Sequence, residues 1–336
     1  MNAPLYPWLV TPWGQLAARR HNLPHALLIH GRSGLGKTAL ARAFAQRVLC
    51  ESSEDKEMAC GVCDGCRWFE QGNHPDFRVL EPEALAQAPA EQSKPRESES
   101  ASRQIKIDQV RETQDFLAIG THRRKARVLL IRPAESMNAA TGNSLLKSLE
   151  EPPPGTLFLL VSSAPERLLP TVRSRCQEIP VASARLEQAE DWLREQGIKE
   201  PAIALAYSGN APLAALEEEA GRAEREGVIA RLAAGERAPI ELADACQGVA
   251  PATVVGWLQR WAFDLALAKA AGIVRYHVRN AAALRALADA LPQESLLRFA
   301  RSLVGERAIA EHPLNPRLFF EGMFLRYAQL WEPRNE

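Results

Sequence analysis

The stretch Gly31-Arg32-Ser33-Gly34-Leu35-Gly36-Lys37-Thr38 fits the phosphate-binding pattern G-x-x-x-x-G-K-[ST]. In this pattern the glycines let backbone N–H groups close around phosphate oxygens, the lysine reaches the outer phosphates, and the hydroxyl holds Mg2+. An apolar run, residues 25–30, precedes it, and residues 38–49 have helical periodicity. The order strand, loop, helix favours a phosphate loop over a glycine-rich turn that merely starts a helix. The candidate phosphate-binding residues are Gly31, Gly34, Gly36, Lys37 and Thr38.

The carboxylate that should complete this site is missing from the expected place. In P-loop ATPases an Asp at the end of a neighbouring strand holds Mg2+, and a carboxylate or Gln commonly orients the attacking water. Here the buried strand Arg127–Ile131 is followed by Arg132 and Pro133. A guanidinium cannot ligate Mg2+ and would compete with the metal for the phosphates. We therefore predict that the chain can hold ATP or ADP but hydrolyses it poorly or not at all, with Glu135 as the one rescue candidate.

Length and composition indicate an ordinary globular protein. The 336 residues suffice for two or three domains, and 41 basic residues balance 41 acidic ones. A dedicated nucleic-acid binder usually has a basic excess, so tight direct DNA binding through a broad surface is not favoured. The sequence contains no run of 18 apolar residues and does not start like a secretory signal, which predicts a cytoplasmic protein without a membrane partner.

Four of the six cysteines form a metal-binding pattern. Cys60, Cys63 and Cys66 are spaced three residues apart, and Cys50 precedes them. In a reducing compartment disulfides are not expected, and four thiolates select zinc in a closed, structural site. The alternatives are a set of free thiols at a helix end, or a site in which His74 replaces one cysteine.

The pattern of strands and helices changes along the chain. Strands alternate with helices over residues 1–183, which predicts a doubly wound α/β domain with a parallel sheet. Residues 81–104 are polar without an apolar period and are interpreted as a mobile surface insertion. Short helices are predicted over residues 184–240 and longer amphipathic helices over residues 241–336.

Taken together, an ordered set of motifs resembles one known family. The set comprises Leu23-Pro24-His25-Ala26, the cysteine knuckle over residues 50–66, and residues 72–76, 143–153 and 171–176, with residues 314–318 similar to the family's last helix. This set resembles the delta-prime subunits of the bacterial DNA polymerase III clamp loader, which are AAA+ proteins. The resemblance covers nearly the whole chain, and the ordered set is far more specific than a phosphate loop alone.

The resemblance implies an architecture and a set of partners. It implies an AAA+ core, a small helical lid over residues 184–240, and a helical collar over residues 241–336 that assembles a five-membered ring. The partners would be ATPase subunits of gamma or tau type and a delta-like subunit, with the sliding clamp and primed DNA reached through the complex. The family's Ser-Arg-Cys motif carries an arginine that projects into a neighbour's ATP site, which in this chain is Arg175. The competing interpretation is a surface arginine that forms a local carboxylate pair.

Departures from active AAA+ motors sharpen the hypothesis. The lid arginine that senses nucleotide in such motors is expected near Gly209, where this chain has Asn210, Ala211 and Pro212. The leading prediction is therefore a polymerase-holoenzyme subunit without independent catalysis that helps load the clamp and completes a neighbour's site. One alternative is an ATP-hydrolysing motor in which Glu135 completes the Mg2+ site. The other is a zinc-dependent nucleic-acid-binding protein.

Overall fold

A computed structural model describes residues 5–19, 22–52, 58–86, 102–118, 126–310, 312 and 315–332. The chain divides into two compact units, residues 1–188 and 189–336. In the described residues no helix is long and apolar enough to cross a membrane.

The first unit is built on a five-stranded parallel sheet. Along the sheet the strands follow the order β2-β3-β4-β1-β5. Leu28, Leu129 and Phe158 join one apolar cluster, and their neighbours Leu27 and Leu130, whose side chains alternate to the other face, are just as fully buried. Burial on both faces is what the continuous apolar runs predict for a parallel sheet. The strands are β1 Ala26–His30, β2 Phe77–Leu80, β3 Arg127–Ile131, β4 Thr156–Ser162 and β5 Gln177–Pro180.

Helices flank this sheet and set the positions of the connecting loops. The phosphate loop lies between β1 and α2, at the carboxyl ends of the strands, next to β4 and β5. In a parallel sheet the carboxyl ends of all strands lie on one side and the amino ends on the opposite side. Residues far apart in sequence therefore lie close together at these strand ends. The helices of this part are α1 Val10–Ala18, α2 Lys37–Leu49, α3 Asp64–Glu70, α4 Ile107–Ala118, α5 Ala139–Glu150, α6 Pro170–Arg173 and, starting in it, α7 Leu186–Glu195.

The second unit is helical throughout its described residues. Five of its helices begin with proline at the first helical position, where the missing N–H would have no partner in any case. One apolar core runs from Tyr207 to Leu330 and includes Trp261 and Phe324. Its helices are α8 Pro201–Ser208, α9 Pro212–Glu219, α10 Arg222–Ala233, α11 Pro239–Asp244, α12 Pro251–Ala271, α13 Ala281–Asp289, α14 Gln293–Ile309 and α15 Pro316–Ala328.

The finer domain boundaries stay predictions. The apolar core of the second unit contains residues from both sides of position 240. Side-chain packing therefore does not separate the predicted lid from the predicted collar. Of the insertion predicted over residues 81–104, residues 87–101 lie outside the described residues. Its two ends meet, because the Ala84 N–H donates to the Ser102 carbonyl at 3.1 Å and Lys106 pairs with Glu83 at 2.8 Å.

Candidate nucleotide and metal sites

The phosphate loop has the backbone that its sequence predicts. Gly36 has φ +80° and ends the loop immediately before α2. A Cβ atom on Gly36 would lie 2.6 Å from the ring of Tyr6, and one on Gly31 would lie 2.4 Å from the carbonyl oxygen of Val181. Both positions therefore require glycine, for conformation and for space. The N-terminus of α2 directly follows the loop, as in phosphate sites that use helix N-terminal N–H groups.

Lys37 is turned back into this loop. Its side chain is buried, and Nζ donates to the Arg32 carbonyl at 2.5 Å and to Ser163 Oγ at 3.0 Å. Burial lowers the pKa of Lys37 to about 8, against the opposing influence of Glu135. The amine is thus still charged at neutral pH, and it is held where it can exchange the Arg32 carbonyl for a phosphate oxygen.

The residues at the metal side of the loop have other partners. Arg132 follows β3 and its Nη2 lies 2.6 Å from Glu81 Oε2 at the end of β2. Its N–H donates to the Leu80 carbonyl at 3.0 Å, which also ties it to β2. The sequence predicts an arginine that competes with Mg2+, and the structure shows an arginine paired with a carboxylate on the β2 side. No Asp replaces it at the end of β3.

Glu135 is the carboxylate associated with the loop. Its Oε1 accepts the Ser163 N–H at 2.9 Å, and its Oε2 is buried without a hydrogen-bond partner among the described residues. Ser163 therefore connects Glu135 to Lys37, although the two charged groups are not hydrogen-bonded directly. Sequence reasoning missed Ser163. It lies one residue past β4, and that position becomes informative only once β4 is known to be the sheet neighbour of β1.

Arg175 lies at the amino ends of the strands, whereas the phosphate loop lies at their carboxyl ends. It precedes β5 by two residues, and Glu150 ends α5 a short turn before β4, so both lie at the amino ends of the strands. Arg175 Nη2 pairs with Glu150 Oε1 at 2.5 Å and Nη1 donates to the Thr171 carbonyl at 2.8 Å. The local carboxylate pair is therefore present in this single chain. The arginine is also one-third exposed, and it lies at the opposite ends of the strands from its own phosphate loop.

The four predicted cysteine ligands come together. The Sγ atoms of Cys50, Cys60, Cys63 and Cys66 all lie within 4.8 Å of one another, and the pairs Cys50–Cys63 and Cys60–Cys66 are 3.9 Å apart. Zinc bound tetrahedrally to thiolates at about 2.3 Å requires sulfur–sulfur distances of roughly 3.8 Å. The geometry therefore fits a four-thiolate zinc site. His74 is not part of this group, and its Nδ1 accepts the Asp76 N–H.

The surroundings of the cysteines favour thiolates at two positions. Hydrogen bonds from Ser52 and from the backbone N–H groups of Val62 and Cys63 lower the pKa of Cys60 to about 5. Burial opposes ionisation of Cys50, but hydrogen bonds from the Cys60 N–H and from Ser52 still lower its pKa. Burial raises the pKa of Cys66. A cation bound among four sulfurs this close would favour the thiolate form of each, and thiolates select zinc.

The segment after Gly209, where the nucleotide-sensing arginine of active AAA+ motors is expected, has Asn210, Ala211 and Pro212 and ends a helix. Gly209 and Asn210 both adopt left-handed backbone, with φ +68° and +65°, and the Asn210 N–H donates to the Leu205 carbonyl at 2.8 Å. This arrangement is a helix C-cap that ends α8. The segment serves chain reversal.

Comparisons with known proteins agree with the motifs. A family model described as DNA polymerase III, delta subunit, matches residues 14–185. DNA polymerase III subunit delta' of Pseudomonas aeruginosa is 33% identical, over 98% of this chain and 99% of that protein. The chain belongs to the DNA polymerase III delta' family. The Escherichia coli K12 delta' subunit is 35% identical over 63% of this chain and 60% of its own length.

More distant relatives agree with the fold. The tau subunit of Escherichia coli K12 DNA polymerase III is 32% identical over 50% of this chain and 23% of tau. A solved DNA polymerase III gamma-subunit-related protein from Thermotoga maritima has a TM-score of 0.50 at 16% identity, covering 96% of this chain and 100% of that one. The predicted fold class, an α/β core with a parallel sheet followed by helices, is confirmed, as is the family resemblance.

Proposed function

We propose that this chain is a clamp-loader subunit that helps load the sliding clamp onto primed DNA in the bacterial cytoplasm. Its partners would be ATPase subunits of gamma or tau type and a delta-like subunit, and it would meet clamp and DNA through the complex. Membership of the delta' family, with similarity over nearly the full length of a relative, supports this role.

Within that role we propose that the chain does not hydrolyse ATP itself. The loop retains every group that binds phosphate, including Lys37 and Thr38, so ATP or ADP can bind there. The position of the Mg2+-binding Asp is Arg132, which is paired with Glu81. Without a carboxylate in that place the metal lacks its protein ligand and the attacking water lacks a base.

The same chain would complete the ATP site of a neighbour through Arg175. The observation that carries this proposal is the position of Arg175 at the amino ends of the strands, across the sheet from its own loop. A phosphate that contacts this guanidinium must then belong to another subunit. A guanidinium supplied in trans stabilises charge on the transferring phosphoryl group and makes hydrolysis depend on assembly.

The cysteine cluster would hold structural zinc. A four-thiolate site leaves no open position for a water or substrate, so the ion would fix the loop between α2 and α3 and carry out no chemistry. The zinc ligands would be Cys50, Cys60, Cys63 and Cys66.

One observation favours the motor alternative. Glu135 Oε2 is buried without a hydrogen-bond partner in the described part of the chain, beside the serine that contacts Lys37. If this carboxylate served as metal ligand or base, the isolated chain would hydrolyse ATP, and Lys37→Ala would abolish that activity. The proposal that the chain does not hydrolyse ATP predicts no turnover by the isolated chain.

The test is ATP hydrolysis by the isolated chain and by the reconstituted loader with clamp and primed DNA. A matched pair of loader variants separates the roles: Arg175→Ala, and Arg173→Ala, whose arginine is similarly exposed and pairs with Glu178. We expect no turnover by the isolated chain. In the pre-steady-state burst, here called the rapid phase, the Arg175→Ala loader should hydrolyse one fewer ATP per complex, because a trans arginine accelerates hydrolysis roughly 10³-fold or more. Arg173→Ala should match the unaltered loader.

Two outcomes would contradict the proposal. Turnover by the isolated chain that is lost in Lys37→Ala would make it a motor. A full rapid phase in the Arg175→Ala loader would show that this arginine only makes its local pair with Glu150.

A further inference from the structure

A cavity of about 210 Å³ opens in the second unit, whereas both candidate sites belong to the first unit. It lies between α8, α10 and the segment that leads into α13. Its walls are largely apolar and contain two buried polar side chains, Arg225 and His277. The apolar part of the lining consists of Ile203, Tyr207, Ile229, Ala230 and Val278.

One wall of this cavity is held in place by a buried carboxylate. Asp264 on α12 is fully buried and accepts the N–H groups of Arg275, Tyr276 and His277 at 2.7–3.2 Å. The same carboxylate lies 2.9 Å from His277 Nδ1. Burying a charge is costly unless it is well hydrogen-bonded, and here the bonds fix the backbone of an exposed loop. The wall is therefore preorganised before any ligand arrives.

Arg225 gives the cavity its charge. It is 8% exposed, and its guanidinium lies over the ring of Tyr207, 3.9 Å from the centroid. It donates to the carbonyl oxygen of Glu218 at 3.2 Å, and no carboxylate of the described residues pairs with it. Glu226, the acidic residue in the lining, is bound by Arg222 and Arg279 instead. A buried guanidinium without a carboxylate is a strong site for an anion.

His277 adds a second polar side chain with unused hydrogen-bonding capacity. Its Nδ1 is directed to Asp264, and its Nε2 is buried without a hydrogen-bond partner among the described residues. Burial lowers the pKa of His277, which favours the neutral ring and leaves Arg225 as the buried cation of the lining.

The size of the cavity selects the kind of ligand. Sites for cofactors and drug-sized molecules generally measure about 300–1,000 Å³, so this cavity suits one side chain better than a nucleotide. We propose that it binds a peptide segment of another protein in which a carboxylate stands next to a large apolar side chain. The carboxylate pairs with Arg225, and the apolar side chain packs against Ile203, Ile229 and Val278. This binding goes beyond the proposed clamp-loader role.

The test uses two small probes of the same shape and different charge. N-acetyl-tryptophan carries a carboxylate, whereas N-acetyl-tryptophan amide is neutral. The full chain is labelled at isoleucine methyl groups, so that Ile203 and Ile229 report on the cavity and Ile131 in β3 serves as an internal reference. We expect the acid to shift the two cavity methyls with an affinity at least tenfold higher than the amide, and to leave Ile131 unchanged.

Three variants make the result specific. Arg225→Gln removes the cation, and Ala230→Trp fills the exposed mouth of the cavity without touching the core. Arg237→Gln is the control, because Arg237 also lies over an aromatic ring, that of Trp331 at 4.3 Å, but is not among the lining residues. Binding of the acid should fall at least tenfold in the first two variants and persist in the control.

Several results would overturn the proposal. These are an absence of shifts with either probe, equal affinity for acid and amide, and undiminished binding in a folded Ala230→Trp variant. AMP is included as a third probe, and shifts caused by AMP but not by the tryptophan acid would assign the cavity to nucleotides instead.

Discussion

The cysteine cluster and the phosphate loop both lie in the first unit, but one is a complete set of ligands and the other is half of a site. Around the cysteines, four sulfur atoms are within 4.8 Å and no ligand is missing. At the loop, the phosphate-binding groups are present, but the end of β3 carries Arg132 where a metal ligand is expected. A site complete within one chain acts in that chain alone. An incomplete one is what we expect of a subunit with the proposed role beside other ATPase subunits.

The amino ends of the strands carry Arg175, the residue proposed to complete the ATP site of a neighbouring subunit. Arg175 is partly exposed and bound by a carboxylate that is itself half exposed. Such an exposed pair is worth little, so a more strongly anionic partner can displace Glu150. The contrast between complete and incomplete sites can be tested at three places, which follow in order of expected effect.

The largest effect is expected from loss of a cysteine ligand. Cys66→Ser should reduce bound zinc from one per chain to none and lower the free energy of unfolding by several kcal/mol, because metal-binding free energy in a structural site is folding free energy. Metal analysis and denaturant unfolding measure the two quantities. Cys176→Ser is the matched control, since Cys176 is outside the cluster, and should cost about 1 kcal/mol with zinc retained.

Two results would contradict this expectation. Full zinc content in Cys66→Ser would mean that Cys66 is not a ligand. Equal unfolding free energies for the two variants would mean that the cluster does not stabilise the fold.

The sequence alone predicts the parts of both sites that follow from local patterns. The phosphate loop, the cysteine spacing and the apolar strands each occupy a short stretch, and each is found where it was predicted. The family resemblance then supplied Arg175 as a candidate, which spacing could not. The domain boundaries near residues 183 and 240 remain predictions, and the apolar core of the second unit runs across position 240.

Contacts that depend on the order of strands were beyond the sequence. Ser163 reaches Lys37 across 126 positions because β4 lies beside β1, and Arg132 meets Glu81 because β2 lies beside β3. The cavity around Arg225 likewise requires three separate segments to converge. A single sequence contains no signal for these neighbours until the topology is known.

A second, moderate effect is expected when the missing half of the phosphate loop is restored. Arg132→Asp places a carboxylate at the end of β3, where Mg2+ ligands stand in active P-loop ATPases. We expect Mg2+ to strengthen ATP binding by roughly tenfold in this variant, about 1.4 kcal/mol, and to have little effect in the unaltered chain. Calorimetric titration with Mg2+ or with chelator measures the difference.

The control for this experiment is Arg132→Ala, which removes the cation without adding a ligand and leaves Glu81 unpaired to the same extent. If Mg2+ strengthens ATP binding equally in all three chains, the metal is already held by another residue, and Glu135 becomes the candidate. That result would mean that the phosphate loop already has a protein ligand for Mg2+ and is a complete site.

The smallest effect is expected at Glu150. Replacing it with Gln removes the charge that binds Arg175 in the single chain but keeps the size of the side chain. Because the pair is exposed, Glu150→Gln and Arg175→Ala should each change the free energy of unfolding by less than about 1 kcal/mol. In the assembled loader the two should differ: Arg175→Ala lowers ATP hydrolysis, whereas Glu150→Gln leaves it unchanged or slightly raised, since the guanidinium no longer has to leave a carboxylate to reach a phosphate. An equal loss of hydrolysis in both variants would instead show that the ion pair itself is what the complex requires, and that Arg175 does not act on a neighbour's ATP.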